Sequence, residues 1–299
     1  MQDIIDWNPR VVIIGPANIK ENSSNITWTL TVLGFLSPLE DNGLLYKVDT
    51  YCGVSVGAII SLLIIAGYKI REIVGETCKS HIFDKKTNSS PTSYQSNEPS
   101  RQRLIELILN KLGSVPTLYE LYMKTGKALI TTTLNITDEI TQYMGPFTHP
   151  NMSCIDAVMY SRNIPFLYYQ LMDGQGKIYV DGALGNPYPV DYFDDGKTNI
   201  LGLYIKKPYS TIFDKRTDYE LCILDQRIRD NISKSSNCCY HIAMYTKDCT
   251  QLNTKEKACM LVDGYNIGYQ FIENLKNKEN IKNNRSMEKY SYPKYYIQA

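Results

Sequence analysis

Histidine, charge imbalance and long apolar runs are all scarce in this sequence, and each scarcity narrows what the chain can do. Its 32 Lys+Arg stand against 31 Asp+Glu, a net charge of +1, so nothing in the balance pulls it toward nucleic acid. The longest apolar stretch, around residues 58–67, falls far short of the roughly 20 residues that cross a bilayer, and no transmembrane helix is expected. The opening MQDIIDWNPR lacks the basic flank and apolar run of a secretory leader. A mature chain starting near Met1, and a cytoplasmic one, is the expectation. The eight cysteines, Cys52, Cys78, Cys154, Cys222, Cys238, Cys239, Cys249 and Cys259, form no CxxC pairs and no short-scaffold framework, which predicts free thiols. Sequons at Asn22 and Asn135 carry little weight in a chain this rich in Asn and Ser.

What is present is an alternation of strand and helix. Residues 10–14 (RVVII) are an apolar run ended by Gly15-Pro16, which predicts a buried strand stopping at a turn. Residues 27–41 set Leu30, Leu33, Phe35, Leu36 and Leu39 at mostly helical spacing before Asn42-Gly43. A second strand is predicted over 47–51, followed at once by Gly53-Val54-Ser55-Val56-Gly57 and an apolar helix that stops at Gly67. That order is a right-handed βαβ unit, and a helix apolar nearly all round, as over 58–66, must bury itself against a parallel sheet.

Further on, the polar stretch 84–100 reads as a flexible surface loop, a candidate lid or a passive insertion. Helices are predicted over 101–112, 117–123 and 153–160, and strands over 127–133 (KALITTT) and 177–180, with 199–205 as the last buried strand. After Asp218 the reading is helical, through 219–232 and around 264–275. The tail 276–299 is basic and rich in tyrosine; it reads as a solvated terminus, with peripheral contact to an anionic membrane surface as the sharper alternative. No internal repeat is visible.

Gly53-x-Ser55-x-Gly57 is the central chemical signal. A serine at a tight strand-to-helix turn is pushed out above the sheet edge, and flanking glycines remove Cβ atoms that would clash there. The following helix aims its N-terminus at the serine, so the Val56 amide is placed to donate to a developing oxyanion. The five-residue pattern is weak alone, but it falls at the predicted junction of strand and buried helix, which is its confirming context.

A serine hydroxyl needs a neighbouring base. His81 adjoins the irregular loop, His149 sits in a Pro-flanked turn, and His241 lies in a stretch read as helical. None has the preferred setting, a loop just past a late strand. Asp181 has it: it ends the strand 177–180 and precedes Gly182, which would set its carboxylate at the carboxyl edge of the sheet. Yet Asp173-Gly174, Asp195-Gly196 and Asp263-Gly264 show that Asp-Gly turns are common here, and position alone leaves the two readings even.

Three segments, in order, resemble the patatin-like phospholipases: residues 51–68 (YCGVSVGAIISLLIIAGY), 117–133 (TLYELYMKTGKALITTT) and 154–190, which holds Arg162-Asn163-Ile164-Pro165 and then Tyr179-Val180-Asp181-Gly182-Ala183-Leu184-Gly185-Asn186. The resemblance spans residues 10–206. It implies a Ser/Asp dyad without histidine, Ser55 as nucleophile and Asp181 as base, with Gly182 and Ala183 completing the Asp-Gly-Gly/Ala motif. One segment departs from the family. Its glycine-rich oxyanion loop after the first strand is here Gly15-Pro16-Ala17-Asn18-Ile19-Lys20, and proline has no N–H to donate. The candidate oxyanion donors are then Gly15, Ala17, Asn18 and Val56.

The resulting expectation is a three-layer α/β/α sandwich with a mainly parallel sheet, residues 1–275 forming one patatin-like domain whose portion 207–275 is helical. The expected activity is phospholipase A or lysophospholipase cleavage of acyl esters through an acyl-enzyme, with no cofactor and no metal. A neutral-lipid lipase or broad esterase using the same dyad is the alternative enzyme, and a non-catalytic binding protein that keeps the fold is the alternative class.

Overall fold

A computed structural model describes residues 7–17, 25–79, 81–83, 98–165, 167–206, 217–245 and 253–276. In chain order the elements are β1 (Val11–Ile14), α1 (Asn25–Asp41), β2 (Thr50–Val54), α2 (Val56–Ile65), α3 (Ile70–Lys79), α4 (Glu98–Leu112), α5 (Leu118–Thr125), β3 (Ala128–Asn135), β4 (Ile140–Met144), α6 (Cys154–Ser161), β5 (Leu171–Met172), β6 (Ile178–Asp181), α7 (Val190–Phe193), β7 (Ile200–Lys206), α8 (Thr217–Lys234), β8 (Cys239–Tyr245) and α9 (Thr254–Lys276).

The eight strands form one sheet, whose parallel body runs β3-β2-β1-β7-β8. In β1, Val12 and Ile14 face a cluster built from α1, α2, α6 and α9, while Val11 and Ile13 face Tyr188, Val190 and Ile228 of the α7 and α8 side. Successive side chains of a strand point to opposite faces, so a run with no alternation means that both faces are covered. That is why RVVII reads as unbroken apolar sequence, and it makes the three layers helix, sheet, helix. Helix α2 is buried at nine of its ten residues, as a helix without a polar face must be. Helix α9 packs along α1, with the Phe35 and Phe271 rings 5.8 Å apart.

Several elements differ from the sequence reading. The strand expected over 47–51 lies at Thr50–Val54, so Gly53 and Val54 are in the strand and only Ser55 makes the turn. The helix expected from 101 starts at Glu98, and the rest of the expected 84–100 loop lies outside the described residues, as do Asn22 and the tail beyond 276. The expected last strand is followed by another: β8 pairs in parallel with β7 along its whole length, and His241 therefore sits in a strand and not in a helix. Cys239, His241, Ile242, Ala243 and Met244 are all buried, so β8 shows no period of two and its short apolar run cannot be told from helix by pattern. The sequon residue Asn135 is fully buried, its side-chain amide donating to Asp138.

Candidate active site

The turn at Ser55 is strained. Its φ of 56° and ψ of −120° lie where an L-residue with a Cβ costs on the order of 1–3 kcal/mol, and this is the sharp strand-to-helix turn that lifts a nucleophile out of a sheet. The neighbouring glycines make the turn possible. A Cβ on Gly53 would lie 2.3 Å from the Ala58 Cα, and one on Gly57 would lie 2.0 Å from the Ile14 carbonyl oxygen. Ser55 Oγ donates to Asp181 Oδ2 at 2.5 Å, within the range of a hydroxyl bonded to an ionised carboxylate. Both residues are buried, at 6% and 4% exposure.

Asp181 reaches Ser55 by a route the sequence does not suggest. Thr131 and Thr132 of β3 pair with β2 on one side and β4 on the other, whereas Thr133 pairs with β4 and, in place of β2, with Asp181. Strand β3 overruns the end of β2, and β6 enters the vacated flank antiparallel, so β2 and β6 meet head to head. Val54 sits opposite Thr132 and Asp181 opposite Thr133, adjacent slots on one strand. The sequence expectation of a carboxylate at the carboxyl edge is met, but by an antiparallel strand that arrives from beyond that edge. The second carboxylate oxygen, Oδ1, accepts from the Ala183 amide at 2.9 Å, which fixes the carboxyl plane. Gly182 is required between them, because a Cβ there would lie 2.0 Å from the Thr132 carbonyl oxygen.

Of the expected oxyanion donors, Val56 is the first residue of α2 and its amide has no acceptor among the described residues. The Gly15 amide is not available: it donates to the Leu203 carbonyl at 2.9 Å, extending the sheet ladder. Gly15 contributes its position instead, since its carbonyl lies close against Gly57. Ala17 is buried with no acceptor for its amide among the described residues, and Asn18 and Lys20 lie outside them. Close to the two candidate catalytic residues in sequence, Val54 and Ala183 form a small buried apolar cluster with Leu224 of α8.

No described histidine imidazole hydrogen-bonds either residue. His149 bonds Thr148, and only the placement of His81 in a short turn is described. His241 is locked between the Tyr188 hydroxyl at its Nδ1 and Ser235 Oγ at its Nε2, both at 2.8 Å. Burial pushes this imidazole down to about 4, against the smaller opposing pull of Asp194. Its proton is therefore taken up more readily by the unfolded chain, whose histidine titrates near 6.5. Stability is full above about pH 6.5 and falls as pH drops toward 4, by up to about 3 kcal/mol from this group. Urea unfolding at pH 7 and pH 4.5 should show that loss in the wild type and a smaller one in His241→Gln. Cys52, near the elbow, is no competing nucleophile, because burial raises its thiol to about 12. The seven described cysteines are all free.

Two polar residues hold the pair: Ser161, which no sequence motif marks, and Asn163, which the sequence names only as part of the segment resembling the family. Ser161 Oγ accepts from the Ser55 amide at 2.9 Å, and the Asn163 carbonyl accepts from the Asp181 amide at 2.9 Å. A serine at a helix end has no sequence signature, so nothing in the pattern marked it.

The family model described as patatin-like phospholipase matches residues 24–194. Among curated proteins, the chain is 27% identical over 157 residues to the protein named Probable lipid hydrolase 463L of Invertebrate iridescent virus 6, a match covering 48% of this chain and 53% of that one. It is 27% identical over 181 residues to protein R571 of Acanthamoeba polyphaga mimivirus, covering 58% of this chain and 60% of that one. The chain thus spans between half and two thirds of the length of these curated relatives. Among solved structures it resembles VipD from Legionella pneumophila with a TM-score of 0.58 at 13% identity, over 90% of this chain and 67% of that one, a likeness of fold alone. With the family model matched over more than half of its length, this chain belongs to the patatin-like phospholipase family.

Proposed function

We propose that the chain hydrolyses fatty acyl esters of phospholipids, as a phospholipase A or lysophospholipase, with Ser55 as nucleophile and Asp181 as its base. The observation that carries this reading is the 2.5 Å bond from Ser55 Oγ to Asp181 Oδ2 at a strained strand-to-helix turn. Family membership and the lipid hydrolase name of the iridescent-virus relative support a lipid ester.

In the proposed reaction Asp181 takes the Ser55 proton as Oγ attacks the acyl carbonyl carbon, and the carbonyl electrons move onto oxygen. The Val56 amide, at the positive end of α2, faces that charge. Collapse of the intermediate expels the lipid alcohol, which leaves with the proton held by Asp181. Water then attacks the acyl-enzyme, Asp181 taking its proton and returning it to Ser55 as the fatty acid departs.

A second reading has one observation in its favour. Pro16 has no N–H, and the Gly15 amide is spent on Leu203, so neither of the first two residues after β1 offers a donor. Losing one oxyanion donor costs roughly 10²- to 10³-fold in rate, and a chain that lost enough of them would bind lipid without turning it over. Fatty acid release from phosphatidylcholine vesicles, lysophospholipid micelles, triacylglycerol emulsions and a short-chain ester, by the wild type and Ser55→Ala, separates these readings. Ser55-dependent release from the first two supports the phospholipase reading. Release confined to triacylglycerol or the short ester replaces it with a lipase or esterase, and no release from any of them favours the binding protein.

A further inference from the structure

Thr131, Thr133 and Ser161 are among the hydroxylic side chains with no solvent exposure. A buried hydroxyl is costly unless bonded, and these three bond to α6, to β6 and to the turn at Ser55. Thr131 Oγ1 donates to the Ala157 carbonyl of α6 at 3.1 Å, and Thr133 Oγ1 donates to the Val180 carbonyl of β6 at 2.9 Å. Ser161 ends α6 and accepts from the Ser55 amide at 2.9 Å. Two residues later the Asn163 carbonyl accepts from the Asp181 amide, while Asn163 Nδ2 donates to the Tyr179 carbonyl, both at 2.9 Å. One three-residue segment therefore grips the backbone of the nucleophile with one end and of the base with the other.

We infer that Ser161 is a positioning residue for the dyad, holding Ser55 in the conformation that presents Oγ to Asp181. The inference rests on the dyad proposed above. The Ser55 carbonyl already accepts from the Ala58 amide at 3.0 Å, which fixes the peptide plane that carries the Val56 N–H. Ser161 fixes the plane on the other side. With both planes held, Ser55 stays at φ 56°. Release of one lets it relax toward negative φ, which swings Oγ out of line with Asp181. The segment 161–163 also sets the separation of the two residues, because its ends bond to both.

The test combines titration of reactive serine with a fluorophosphonate and turnover of a p-nitrophenyl ester per titrated site, for the wild type, Ser161→Ala, Ser161→Cys and Ser161→Thr. A displacement of about 1 Å costs on the order of 10²-fold, so Ser161→Ala should acylate about 10- to 100-fold more slowly per titrated site with KM little changed. Ser161→Cys, a weak acceptor of similar size, should fall between, and Ser161→Thr, which keeps the hydroxyl, should approach the wild type. If Ser161→Ala does not fold, the ranking of Cys below Thr carries the test. A purely structural role would reduce the number of titratable sites and leave the rate per site untouched; that result, or Thr no better than Ala, overturns the inference and leaves the dyad standing. A wild type that takes up no fluorophosphonate, or a Ser55→Ala variant that does, removes the dyad and the inference with it.

Discussion

Asp181→Asn should lower kcat on acyl esters by about 10³- to 10⁴-fold while leaving KM within a factor of a few, the scale of losing a positioned general base. The substitution is nearly isosteric. Its remaining carbonyl oxygen can still accept from the Ala183 amide, a bond of 2.9 Å in the wild type, so the turn after β6 keeps its cap and the fold should hold. What changes is the partner of Ser55 Oγ: an amide presents N–H donors or a neutral oxygen, neither able to take the hydroxyl proton. Steady-state kinetics with thermal unfolding of the same preparation checks this. A variant folded like the wild type and still as active would remove Asp181 from the chemistry.

Gly57→Ala should be the most damaging single methyl group in the elbow. The added Cβ would lie 2.0 Å from the Ile14 carbonyl and 2.7 Å from that of Gly15, and both are backbone atoms that cannot rotate aside. Overpacking of this kind costs about 1–3 kcal/mol, partly offset by the better helix propensity of alanine, for a net fall in Tm of roughly 5 °C. The larger effect is on rate. Relief of the clash moves α2 away from β1, and with it Ser55 and the Val56 amide, so turnover should drop on the order of 10²-fold for about 1 Å of displacement. Differential scanning fluorimetry and kinetics test it together; wild-type stability and rate would mean that this close approach is unnecessary.

The legible parts of the molecule were those where a short-range pattern has one physical meaning. An apolar run over β1 and an apolar helix over α2 can only be buried, and Gly53 and Gly57 gained their meaning from falling at the junction of β2 with that helix. Asp181 was half legible: an Asp-Gly at a strand end is a turn as often as a site, and it took the resemblance of residues 179–186 to a known family to single it out. Its manner of arrival was not legible at all, because it depends on β3 being longer than β2 and leaving a flank open, which no local pattern encodes. Strand β8 was read as helix since residues buried on both faces carry no period. The roles of Ser161 and of Asn163, the latter legible only as part of a family-like segment, run through backbone amides far away in sequence and carry no local pattern. The donor role expected of Gly15 failed on register, since its N–H continues the ladder to Leu203.

The most direct measurement for a Ser55/Asp181 dyad is peptide mapping by mass spectrometry after brief reaction with a fluorophosphonate or a slowly deacylating ester. The dyad predicts one dominant adduct on the peptide containing Ser55, with the hydroxyl proton lost and the leaving group released, and at least a hundredfold slower labelling in Asp181→Asn, in keeping with the loss of a general base. An adduct on another residue, or labelling of Ser55 at the same rate without Asp181, would contradict it.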